Sequence, residues 1–77
     1  VLYSALMKKE LEKLLMTLAY QRINELNIAM SQLSQAAKMT TDPGEKEFLS
    51  TQHGQMAYMH KELSEATAEA AKVAEQS

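Results

Sequence analysis

Cysteine and tryptophan are absent from this 77-residue chain, proline occurs once and glycine twice. Without cysteine there is no disulfide staple, no thiolate metal ligand and no thiol nucleophile. With so little proline and glycine, there are few points where a helix must stop. Aromatic residues are scarce, and eight basic residues face ten acidic ones for a formal charge of −2. That inventory lacks the basic stripe with interleaved aromatics that nucleic acid requires. Long apolar runs are missing as well: runs such as Leu14-Leu15-Met16, none longer than four residues, fall far short of the ~20 residues of a membrane span. No charged start, apolar core and small-residue cleavage site reads as a signal peptide. Together with the lack of cysteine, this gives the expectation of a cytoplasmic setting. The chain opens at Val1 rather than methionine, as expected of a chain trimmed or excised from something longer.

What is present is helix-forming sequence around one turn. The only strong punctuation is Thr40-Thr41-Asp42-Pro43-Gly44-Glu45. A residue before proline avoids the helical region, so Asp42 is expected to be extended and to cap the helix that follows. Pro43 suits the first helical position, where a missing N–H costs nothing. Glu45, three residues after the cap, is placed to complete a capping box, and Glu45 with Glu47 favours the positive end of the helix dipole. Downstream, Leu49, Gln52, Met56, Met59, Leu63, Ala66, Ala70 and Val73 repeat at three- and four-residue steps in a heptad. Upstream, Leu11, Leu15, Ala19, Ile23, Leu26, Met30, Leu33 and Ala37 form a matching stripe, uninterrupted by proline or glycine. The spacing predicts a single all-α domain over 1–77: an antiparallel, coiled-coil-like helical hairpin. Its first helix covers about 2–39, its turn 40–42 and its second helix about 43–75.

Folding about Asp42 sets Leu33 opposite Gln52, Met30 near Met56, Leu26 near Met59 and Ile23 near Leu63. It brings Leu11 and Leu15 to Ala66, Ala70 and Val73, and Lys8, Lys9 and Lys13 beside Glu69 and Glu75. The arms are unequal, because the first runs past the end of the second. Leu2, Tyr3, Leu6 and Met7 then have no partner within the hairpin, and Leu14 and Leu18 widen the apolar arc beyond one seam. A helix apolar over so broad an arc buries a second surface. The alternative is that residues 1 to 8 fray or pack on chain outside this sequence. A second surface is suggested by Asn24, Asn27, Ser31, Gln32, Ser34 and Gln35, neutral hydrogen-bonding side chains around the apolar anchor Ile28. Among the six methionines, Met30, Met56 and Met59 belong to the expected seam, while Met7, Met16 and Met39 lie off it.

Candidate chemistry is thin. His53 and His60 are seven residues apart, which sets the rings ~10 Å apart along the axis, too far for one metal ion. Both are expected on a flank of the seam, as solvated side chains or a pH-sensitive contact. Glu62, Glu65 and Glu69 form a charged face, and a two-helix hairpin offers no pocket in which paired carboxylates could act. Gly44 and Gly54 stand alone rather than in a phosphate-binding loop. Gly54 weakens a helix interior, either as a tolerated surface residue or to admit a neighbouring backbone. The expectation is a non-enzyme with no cofactor, no metal and no small-molecule substrate.

A Ser/Gln/Ala-rich helix, the Asp42-Pro43 turn and a Gln- and Glu-containing heptad helix resemble the small helical-hairpin proteins of bacterial type III secretion, both needle subunits and the co-chaperones that guard them. The carboxyl end departs from needle subunits. Ala66 to Ser77 is rich in Ala and Glu where they carry more Ile, Val and Phe, which points to the chaperone or adaptor side of that resemblance. The reading is then a protein-interaction module that binds helices of a partner or of its own copies through Leu2, Tyr3, Leu6, Met7, Leu14, Leu18 and Ile28. A coiled-coil oligomerisation fragment of a larger structural protein is the alternative, and a metal-binding bundle a third.

Overall fold

A computed structural model describes residues 2–76 of the chain, with side chains from residue 5 to residue 75. Two helices account for almost all of it: α1 over Leu2–Met39 and α2 over Pro43–Gln76, joined by residues 40–42. At 1.5 Å per residue they run roughly 57 and 51 Å. They pack antiparallel along most of that length, giving an all-α hairpin 61 Å long and 16 by 13 Å across. Its radius of gyration is 17.7 Å, whereas a compact chain of this size has about 11.5 Å.

The turn is tied by side chains. Asp42 Oδ1 accepts from the Gly44 amide at 2.8 Å, and the Asp42 carbonyl takes the first intrahelical bond from Lys46 at 3.0 Å. Asp42 is therefore the N-cap, with Pro43 at the first helical position. The expected capping box is modified. Glu45 does not reach the Asp42 amide; its Oε2 accepts from the Thr40 hydroxyl, and that hydroxyl accepts from the Asp42 amide at 3.3 Å. Thr40 also donates its own amide to Ala36 O at 3.1 Å, completing the last turn of α1. One threonine thus closes the first helix and anchors the second.

The longitudinal register agrees with the sequence pattern. Leu26 and Met59 border one groove between the helices, and Leu15 and Ala70 border its continuation. The rotation about the helix axes differs. In α1 the half-buried series is Glu12, Met16, Ala19, Ile23, Leu26, Met30, Leu33 and Ala37, so Leu11 and Leu15 give way to Glu12 and Met16 toward the open end. In α2 the series runs Leu49, His53, Met56, His60, Leu63, Thr67 and Ala71. Met59, Ala66, Ala70 and Val73, expected inside, are exposed.

The physical reason lies in the period. The α2 series advances about 3.7 residues per step, near the 3.6 of a straight helix, whereas a strict heptad drifts ~20° per repeat unless the helices supercoil. Ala66 and Ala70 bury little area, so twisting α2 to bring them inward gains little. His53 and His60 consequently lie half-buried in the seam rather than on a solvated flank. Met16 has moved in and Met59 out, reversing both expectations.

A candidate helix-binding surface

Two helices side by side can enclose only a line of contact. Among the described residues no apolar side chain is fully buried, and the one enclosed residue is Thr67, 4% exposed, with its hydroxyl donating to Leu63 O at 2.7 Å. His60 lies two turns before it in the seam, with an Nε2 that is buried and makes no hydrogen bond among the described residues. Everything else that is apolar and large is at least partly open to solvent.

Its distribution is uneven. One long groove between the helices is mainly apolar. Its middle is walled by Leu26 and Ala29 from α1 and by Tyr58, Met59, Leu63 and Ala66 from α2, with Arg22, Glu25 and Glu62 at its rim. Toward the open end it continues between Leu15 and Met16 on one side and Ala66, Ala70, Val73 and Ala74 on the other, with Lys8, Glu12 and Glu69 at its edges. The groove on the opposite side, lined by Asn27, Met30, Ser31, Ser34, Gln35, Lys38 and His53, is mixed, with polar and apolar surface in similar amounts. A separate apolar depression belongs to α1 alone: Leu6, Met7, Glu10, Leu11 and Leu14. Helical phase explains much of it: Glu10 and Leu14 lie on the side of α1 turned away from the seam positions Glu12, Met16 and Ala19.

Of the residues expected at a partner surface, Leu6, Met7, Leu14, Leu18 and Ile28 are all about half exposed. Leu6, Met7 and Leu14 share the depression on α1. Leu18 follows Leu14 by four residues, on the same side of the helix as Leu11 and Leu15. Ile28 is 51% exposed but lines neither groove, so it is not joined to the others. The side chains of Leu2 and Tyr3 lie outside the described residues. Sequence reasoning missed the α2 contribution: Phe48, Tyr58, Met59 and Val73 are each more than half exposed. The signal for them was the alternative 3.6-residue phase of α2, in which Met59, Ala66, Ala70 and Val73 share a face adjacent to the seam.

Charge lies at the margins of this surface. Among the described residues the one ion pair is Arg22–Glu25, 3.1 Å apart within a single helix and largely solvated. Lys8, Lys9 and Lys13 form no ion pair with Glu69 or Glu75, although Lys8 and Glu69 border the same groove. Among the described residues no group of three His, Asp or Glu side chains could hold a metal ion, and no helix is long and apolar enough to cross a membrane. A Cβ built on Gly54 meets nothing within 4 Å, so this glycine admits no close backbone of its own chain. No protein family, curated protein or solved structure matches this chain.

Proposed function

We propose that this chain is a non-enzymatic interaction module that completes a helical bundle with helices supplied from outside the hairpin. One observation carries the reading: among the described residues thirteen large apolar side chains are exposed and no apolar side chain is fully buried. Each leucine moved from half exposed to buried contributes on the order of 1 kcal/mol, so a covering helix would add several kcal/mol along this surface. Contiguous apolar surface of this extent marks a binding site rather than an ordinary solvated face. The apolar groove takes a helix lengthwise, in the manner of a helix-in-groove complex.

A small chaperone or assembly subunit of a secretion machine is the specific form we favour, on the hairpin architecture and the capped Asp42-Pro43 turn. The α2 seam, straight-helix in period rather than heptad, supports a hairpin that docks over a fragment of a long coiled coil. Affinity capture on the full chain, read by mass spectrometry, tests the proposal. The wild-type chain is expected to retain a helical protein, another copy included. A Leu14→Glu/Leu18→Glu variant is expected to lose it while keeping its far-ultraviolet helical signal, since neither residue lies in the seam. Undiminished capture by that variant would remove this surface as the binding site.

A further inference from the structure

The exposed apolar surface differs in relief between the two helices. Along α1, Leu11, Leu15 and Leu18 step by four and three toward the groove-lining Arg22, forming a ridge. At the same height on α2, Ala66, Ala70 and Val73 form a shallow trough. Inside one chain the ridge and trough lie side by side, and neither fills the other: Leu15 is 56% and Val73 57% exposed.

We infer that a second copy of this chain covers the apolar groove, with the two hairpins parallel and related by a two-fold axis along their length. The leucine ridge of each α1 then seats in the alanine trough of the other copy's α2. This inference rests on the helix-binding reading above and names the partner.

Three observations support that occupant. The first is area. The chain exposes 6313 Å², about a third more than the ~4,700 Å² of a compact protein of its mass. The excess, roughly 1,600 Å², exceeds the ~800 Å² per partner that a standard interface hides. The second is relief, since large against small at equal height lets helices interdigitate at the close spacing of a four-helix bundle. The third is charge. Over residues 8–22, four cations face two anions (Lys8, Lys9, Lys13, Arg22; Glu10, Glu12), whereas over residues 61–75 four glutamates face two lysines. The parallel arrangement sets the positive half of α1 against the negative half of the other copy's α2, and all neighbouring helices run antiparallel. Head-to-tail copies would instead place α1 on α1 and α2 on α2 with their open ends reversed, so the positive half of α1 would meet a nearly neutral stretch of the other α1 and the charge pairing would be lost. The leucine ridge would then lie over the other copy's α1, away from the alanine trough that fits it. Such complementarity selects orientation more than it adds affinity.

Because the chain has no cysteine, engineered single cysteines report the arrangement directly. Sedimentation of the wild-type chain at tens of micromolar should give a dimer. A Leu18→Cys chain mixed with an Ala66→Cys chain should be joined by a short bis-maleimide crosslinker into a heterodimer, in at least tenfold greater yield than either chain with itself. An Arg22→Cys chain alone should not crosslink. A helical monomer at that concentration overturns the inference, as does a dimer that crosslinks through Arg22→Cys. A monomer that still captures a different helical protein through Leu14 and Leu18 overturns the second copy but leaves the helix-binding reading standing. A monomer that captures nothing removes both.

Discussion

Thr67 holds the most enclosed position because its hydroxyl asks nothing of the other helix: it donates to Leu63 O, one turn back on its own. Threonines 17 and 51 do the same toward Lys13 O and Glu47 O. That carbonyl also takes the ladder bond from residue 67, so losing the hydroxyl leaves no orphan acceptor. Thr67→Val is therefore expected to hold or raise stability, by up to about 1 kcal/mol, read as the thermal midpoint at fixed chain concentration. His60 is the opposite case, with an enclosed nitrogen lacking any partner among the described residues. An unsatisfied buried polar atom costs about 1–3 kcal/mol, and His60→Leu should recover part of that as a higher urea midpoint with an unchanged slope. Neither position was legible in the sequence. Met59 and His60, Ala66 and Thr67, and Ala70 and Ala71 are adjacent pairs, and each member fits a three-four pattern. Hydrophobicity selects the first member of the first two pairs, but packing selects the second throughout.

At the scale of the elements, the termini were the most readable part. Asp42-Pro43 announced the start of α2 because proline restricts its neighbour and aspartate satisfies the free amides, both effects confined to a few residues. Thr40 was not readable as the link to Glu45, since that role depends on how α1 ends. Asp42→Ala is expected to cost about 1 kcal/mol of thermal stability by stripping the cap from the Gly44 amide. Gly54 sits in an exposed helix interior with open space where a Cβ would be. Gly54→Ala should add about 1 kcal/mol and leave the oligomeric state unchanged, because residue 54 faces away from the apolar groove. Circular dichroism melts on the two variants, paired with sedimentation, check both statements. A stabilised chain that no longer assembles would show that the glycine admits another molecule's backbone after all.

The whole molecule has the length of one helix, the width of two and the thickness of a single layer, so its surface is set by topology more than by composition. The register along the hairpin was legible because one turn and two stripes determine it. Which flank carries the excess apolar surface was not, because that depends on a rotation of about one residue. If another copy covers the groove, folding and association are linked, and the midpoint depends on concentration. The wild-type midpoint should then rise with each tenfold increase in chain, while a Leu15→Glu/Leu18→Glu variant should melt lower and independently of concentration.

The single turn also imposes an order of assembly. Contacts beside residues 40–42 close loops of about ten residues, and those near Ala71 close loops of about sixty, a difference of roughly 1.6 kcal/mol in chain entropy. The hairpin should zip from the turn outward and unzip from the open end. Amide exchange in an isolated chain would then run slowest between residues 26 and 56 and fastest toward the open end. The leucine ridge lies in that fast-exchanging part, so a second copy seated there would act as a clasp and level the gradient.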